Sequence, residues 1–322
     1  MIMMITAFLL GLILCLLFGI PYIDFLEKKT IGQYIRESAP ERHKEKEGTP
    51  TTGGVFIVIS ALMASVIVLF LAQKFSTHAW IVLITFLFYA LAGFQDDFLK
   101  IKGKKNKGLS ARGKLLRQIL IAVLPVLYMI VTNDKGTYLS IGDYSIDLMW
   151  FYPVLALLII TGSSNAFNLT DGLDGLAASC GVFSFFACAV IAQLSGYGYL
   201  AIISSAITGA LLGFLKYNKP KARVFMGDTG SIALGGLLGV LAVMGKFEIY
   251  LVILAGIFVV ETLSVIIQVS GFKLTGKRIF KMSPVHHHFE LCGYNEKCIT
   301  AAFSMFSMIC AAAAVCLYKF LM

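Results

Sequence analysis

Charge is what this sequence has least of. Only 14% of its 322 residues are Asp, Glu, Lys or Arg, against 58% hydrophobic, and the mean hydropathy is +0.84. A soluble domain carries roughly a quarter charged residues, so water is excluded as the main solvent of this chain. Acidic residues are the scarcer sign, 18 against 27 basic, which makes the position of each one informative. The seven cysteines, Cys15, Cys180, Cys188, Cys292, Cys298, Cys310 and Cys316, form no CxxC pair. Most lie in apolar stretches and read as small core residues, and the spacing of Cys292 and Cys298 beside the histidine run fits no common zinc site.

What is abundant is apolar sequence in long runs. A bilayer core about 30 Å thick takes roughly 20 apolar residues per helical crossing. Ten such runs occur, at about 2–23, 52–73, 76–95, 117–132, 148–164, 176–194, 198–215, 229–245, 248–270 and 299–320. They are continuously apolar, whereas barrel strands would alternate over about ten residues. The expected fold is therefore all-α, a polytopic membrane protein of about ten transmembrane helices. The first run has no basic segment before it and no small-residue cleavage site before Pro21 and Asp24, so it is expected to stay as a membrane helix.

Basic residues sort to one side. All 27 except Lys74, Lys135, Lys246 and Lys319 fall in four inter-helix segments, which the positive-inside rule assigns to the cytoplasm, leaving both termini outside. The net charge of +9 then faces anionic headgroups and phosphate-bearing substrates, and nucleic acid is not expected as a partner. The reading is one transmembrane domain, 1–322, with loops at about 24–51, 96–116, 165–175, 216–228 and 271–298 on that face.

Four acidic or histidine-rich clusters lie at these loops. Asp96 and Asp97 end the third run, with Lys100 on the face of Asp96 if the helix continues. The segment Asn165 to Ala177 has no basic residue and spaces Asn165/Asn168 and Asp171/Asp174 by three, with Gly172 and Gly175 allowing close backbone approach. Phe225-Met226-Gly227-Asp228-Thr229 opens the eighth run, where Asp228 alone reads as a helix cap and the N–H groups of a helix start attract phosphate. Pro284-Val285-His286-His287-His288-Phe289-Glu290 sits in the last basic loop. Carboxylates at membrane-helix ends normally face a cavity or a cation. Converging, they would surround one hard cation, with lysines for phosphate, a set suited to phosphoryl transfer. No Walker A sequence occurs, so a nucleotide has to bind to loops at the membrane surface.

From Thr49-Pro50-Thr51-Thr52-Gly53-Gly54 to the histidine run, the chain resembles the polyprenyl-phosphate N-acetylhexosamine-1-phosphate transferases. The Asp96-Asp97 and Asp171–Asp174 motifs carry the superfamily likeness, and Pro284 to Glu290 points to its branch with a muramyl-pentapeptide donor. Thr52 stands where that branch often has Met, with Pro50 and the glycine pair intact. The resemblance implies Mg²⁺-dependent transfer of phospho-MurNAc-pentapeptide from UDP-MurNAc-pentapeptide to undecaprenyl phosphate, giving lipid I and UMP for peptidoglycan synthesis. It places the chain in the bacterial cytoplasmic membrane among membrane lipids, as a possible homodimer.

By the same likeness Asp96 is the candidate base for the acceptor phosphate, Asp228 the main Mg²⁺ ligand and Asp97 a second ligand or orienting group. Asn168, Asp171 and Asp174 belong to the catalytic and nucleoside wall, Asn218 and Phe225 to the uridine site, and Lys46, Lys100, Lys114 and Gln268 to the polar rim. His286, His287 and His288 would meet the diphosphate or the sugar. One-step attack and a covalent aspartyl route both use Asp96. Two rivals remain: a sister enzyme moving GlcNAc-1-phosphate from UDP-GlcNAc, and a cation transporter, whose signature would be acids in mid-helix, as at Glu261.

Overall fold

A computed structural model describes residues 1–29, 48–103, 108–132 and 136–322. Its helices are α1 (Ile2–Lys28), α2 (Gly54–Leu71), α3 (Thr77–Gly103), α4 (Ala111–Thr132), α5 (Phe151–Thr170), α6 (Leu176–Leu194), α7 (Gly198–Asn218), α8 (Gly227–Gly245), α9 (Glu248–Leu254), α10 (Gly256–Thr275), α11 (Val285–Leu291) and α12 (Glu296–Leu321). One antiparallel hairpin, β1 (Tyr138–Ile141) and β2 (Tyr144–Asp147), pairs Tyr138 with Asp147 and Ile141 with Tyr144. Among the described residues, ten helices are long and apolar enough to cross a membrane, all but α9 and α11. The all-α polytopic reading holds.

Helix ends differ from the apolar boundaries in an instructive way. α3 runs on past residue 95 to Gly103, and α4 begins at Ala111 rather than 117. Lys100 and Lys102 in the last turn of α3 complement the helix dipole there. α5 continues to Thr170, so Asn165 and Asn168 are helical and the expected loop shrinks to residues 171–175. The run at 248–270 is broken at Ala255 (φ −100°, ψ 21°) into α9 and α10. Apolarity reports the solvent around a segment, while helix continuity is set by backbone hydrogen bonding.

Burial ranks the helices from centre to rim. In α8, 94% of the apolar window is buried and in α7 83%, against 22–28% in α1, α4, α10 and α12. A helix apolar all round belongs inside, and α8 packs against α5, α3 and α2. Small residues make that possible: a Cβ on Gly235 would fall 2.4 Å from Ser163 O, and one on Gly209 in α7 only 1.9 Å from Phe8 O. The glycine-rich stretches thus serve internal helix packing. The C-terminal end of α3 and the N-terminal end of α8 meet at one end of the bundle, and the hairpin lies at the other, where Gly142 N–H donates to Tyr250 Oη of α9 at 3.3 Å.

Candidate active site

The centre of the acidic end is the start of α8, held by a carboxylate from another helix. Asp97 Oδ1 accepts the Asp228 N–H at 3.0 Å, and its Oδ2 accepts the Thr229 N–H at 2.9 Å and the Thr229 hydroxyl at 2.7 Å. Asp97 therefore caps α8 across the bundle, filling the role that the helix's own Ncap side chain usually takes. Two expectations change here. Asp228 is a residue of the first turn rather than a cap, and the N–H groups of Asp228 and Thr229 meet Asp97 rather than standing open to phosphate. Gly227 adopts φ +71°, and a Cβ there would lie 2.6 Å from Asp97 Oδ2, so the turn admits only glycine without displacing the cap.

Capping leaves the Asp228 side chain pointing at other groups. Its Oδ1 accepts from Asn168 Nδ2 at 2.7 Å, and Asn168 also donates to Ser231 Oγ at 2.8 Å. Its Oδ2 accepts from Lys100 Nζ at 2.7 Å and from Lys114 Nζ at 2.8 Å. Asp96 Oδ1 accepts the Leu109 N–H at 2.7 Å. Asp96 Oδ2 forms an ion pair with Lys100 Nζ at 2.6 Å that lacks hydrogen-bond geometry, and lies 3.9 Å from Lys114 Nζ. Asp96, Asp97 and Asp228 are 1%, 3% and 8% exposed, so this charge is shielded from bulk water.

The residues present suit a divalent cation. Asp96, Asp97 and Asp228 each offer an oxygen, and the three atoms lie within 4.8 Å of one another. Hard cations take oxygen ligands. Two ammonium groups stand against three carboxylates, so the cluster carries surplus negative charge. Each of the three could ligate such an ion; both oxygens of Asp97 also accept from the start of α8, so Asp97 orients Asp228 as well.

The turn after α5 adds a fourth acid. Asp171 is partly exposed as a residue, yet burial of its carboxyl, followed by the charges of Asp228, Asp97 and Asp174, pushes its pKa up to about 8. Asp174 Oδ2 accepts the N–H groups of Lys221 and Ala222 at 3.1 and 3.0 Å. Asn218 accepts the Gly175 N–H at 3.1 Å and donates to Val224 O at 2.9 Å. These two side chains fasten the α5–α6 turn to the α7–α8 loop. Phe225, half-buried, bonds through its backbone to Pro50 O and Gly53 N.

The remaining expected residues divide by neighbourhood. Gln268 accepts the N–H groups of Ile279 and Phe280 and donates to Phe280 O, tying the loop after α10 back to that helix. The three histidines separate. His286 is fully buried, its Nδ1 3.0 Å from Glu261 Oε1 and its ring against Gly172. His287 Nδ1 lies 2.7 Å from Glu290 Oε2, and His288 Nδ1 accepts the Lys281 N–H at 3.1 Å. Lys46 lies outside the described residues. Asp96, Asp97, Lys100, Lys114, Asn168 and Asp228 thus form one contact network, while Asp174, Asn218, Gln268 and His288 brace the loops around it.

Two participants went unassigned in the sequence. Ser231, three residues after Asp228, holds Asn168 in place. Glu261 is wholly buried in α10 against His286. An ionisable residue inside a membrane helix signals a partner, but nothing local in the sequence says that the partner is a histidine 25 residues on.

The model of the family described as glycosyl transferase family 4 matches residues 79–246, which include nearly all of α3, the 171–175 turn and the start of α8. A protein named phospho-N-acetylmuramoyl-pentapeptide-transferase from Halalkalibacterium halodurans is 45% identical over 97% of this chain and 96% of its own length. Proteins of the same name from Bacillus subtilis and Geobacillus thermodenitrificans are 45% and 46% identical, over 92% and 93% of this chain and 91% and 92% of their own.

Proposed function

Since the chain belongs to glycosyl transferase family 4, and within it to the phospho-N-acetylmuramoyl-pentapeptide-transferases, we infer that it moves phospho-MurNAc-pentapeptide from its UDP carrier to undecaprenyl phosphate. The observation that best supports a local mechanism is the convergence of Asp96, Asp97 and Asp228 with two lysines at one end of the bundle. The positive-inside rule, applied to the basic loops, supports a cytoplasmic face for that end, where a soluble nucleotide and a lipid phosphate would meet.

The reaction forms one P–O bond and breaks another. An oxygen of the acceptor phosphate attacks the phosphorus next to the sugar, the bond between the donor's two phosphates breaks, and UMP leaves. Asp96, which shares Lys100 and Lys114 as neighbours with Asp228, would take a proton from the acceptor phosphate. Lys100 and Lys114 supply positive charge beside the point where the leaving oxygen turns negative. Asn168 holds Asp228 in a single orientation, so little reorganisation is needed during reaction. Mg²⁺ held by Asp228 with Asp96 or Asp97 would neutralise charge on the departing phosphate. Asp174, Asn218 and Phe225 would border the nucleoside, and His287 and His288 the diphosphate or the sugar.

Donor choice tests the assignment. Purified protein in detergent, given undecaprenyl phosphate and Mg²⁺, should release UMP from UDP-MurNAc-pentapeptide and not from UDP-GlcNAc, and EDTA should stop it. Turnover of UDP-GlcNAc alone would move the chain to the sister activity with the same site.

A further inference from the structure

The lysines are too close to the carboxylates to be bystanders when a cation binds. Lys100 Nζ lies 2.6 Å from Asp96 Oδ2 and 2.7 Å from Asp228 Oδ2, and Lys114 Nζ lies 2.8 Å from that same Asp228 oxygen. One carboxylate oxygen accepts both ammonium groups. A divalent ion taking that oxygen as ligand would meet two positive charges at contact distance, in a site where the three acidic side chains are at most 11% exposed and solvent screens weakly. Ion and ammonium groups therefore compete for that oxygen of Asp228 in this arrangement.

The two kinds of charge also differ in freedom. The carboxylates are fixed: Asp228 by Asn168, Asp96 by the Leu109 N–H, and Asp97 by the start of α8. The lysine side chains are 29% and 22% exposed, and four flexible methylenes let their heads swing outward. An ammonium group is a ready phosphate ligand as a point charge. A donor diphosphate arriving beside them would offer new partners for the lysines and free the acids at once.

Resting on the transferase reading above, we propose that Lys100 and Lys114 are internal counter-cations that compete with the divalent ion for Asp228 and Asp96, so that ion and donor diphosphate bind cooperatively. The coupling is reciprocal by linkage: the donor strengthens ion binding by the same factor as the ion strengthens donor binding. Lys100 contributes the larger share because it bridges both acids, whereas Lys114 touches Asp96 only at 3.9 Å.

The test is Mn²⁺ titration followed by electron paramagnetic resonance on the full chain in lipid nanodiscs, with no nucleotide present. Lys100→Met should bind Mn²⁺ about tenfold more tightly than the unaltered protein, within the usual range of coupling between sites. Lys114→Met should show a smaller gain, and Lys100→Arg, which keeps the charge, should stay near the unaltered value. Adding UDP should tighten Mn²⁺ binding in the unaltered protein more than in Lys100→Met. Unchanged or weaker Mn²⁺ affinity in both Met variants would overturn the proposal; should Lys100→Met fail to fold, Lys114→Met decides it alone. Absence of UMP release by the unaltered protein would sink the transferase reading and leave the Mn²⁺ comparison to be judged separately.

Discussion

Both ends of this bundle bury charge, and they do so in opposite ways. At the hairpin end, Lys246 Nζ lies 3.7 Å from Glu248 Oε1 and 3.7 Å from the centre of the Tyr152 ring, while the Tyr152 hydroxyl donates to the same Glu248 oxygen. One acid meets one base, and an aromatic ring covers the pair. At the acidic end, three carboxylates meet two ammonium groups, with Asp171 close enough to be perturbed by them. A balanced buried pair locks structure, and an unbalanced one attracts a further cation. Burial of charge is thus no marker of function by itself; the sign of the imbalance is.

Substitutions that exchange these roles would break the contrast. The largest effect is expected for Asp228→Asn, which removes the central ligand: UMP release should fall about 10³-fold or more, with the melting temperature little changed. Glu248→Ala should do the reverse. Leaving Lys246 buried without its acid costs about 3–5 kcal/mol, so thermal unfolding should shift down sharply while the folded protein transfers sugar at an ordinary rate. Equal loss of activity in both variants would erase the distinction between the ends.

Two smaller effects sharpen it. Gly227→Ala, forced to φ +71° with its Cβ 2.6 Å from the Asp97 oxygen, should cost about 1–3 kcal/mol of stability. Because Asp228 is displaced with the turn, kcat should drop by more than that strain suggests, up to about 100-fold for an ångström of misplacement. The subtlest effect is a proton. Asp171, pushed up to about 8, holds its proton at pH 7 where the unfolded chain does not. Its contribution to stability is therefore lost as pH rises from the unfolded value near 4 through about 8. A cation beside Asp228 and Asp97 offsets two of the charges responsible, so ion binding at pH 7 should release a fraction of a proton. Calorimetry in buffers of different ionisation enthalpy should detect that release in the unaltered protein and not in Asp171→Asn.

Much of this was legible in the sequence, for a physical reason. In a chain with so few charges, a buried acid is conspicuous, and the spans follow from apolar runs because the bilayer imposes one solvent along about 20 residues. The Asp96–Lys100 pairing was legible too, since four residues is one helical turn. Contacts made across the bundle were not. Asp97 caps a helix 131 residues away, Asp174 accepts from N–H groups 47 and 48 residues on, and His286 meets Glu261 inside another helix. Local pattern reports which residues are costly to bury, while the partner that offsets the cost is chosen by tertiary packing. For the same reason the sequence offered Asp228 both as a cap and as an ion ligand, and only the structure shows that Asp97 does the capping.

The most direct test follows the sugar itself. Protein in nanodiscs with undecaprenyl phosphate and Mg²⁺ would receive UDP-MurNAc-pentapeptide labelled in the muramyl ring, and label passing into the butanol phase would be counted against UMP released. The expected result is equal amounts of lipid-borne label and UMP from the unaltered protein and from Glu248→Gln, and neither from Asp228→Asn. Lipid-borne label formed as fast by Asp228→Asn as by the unaltered protein would contradict the account, because transfer would then proceed without the carboxylate around which the acidic end is built.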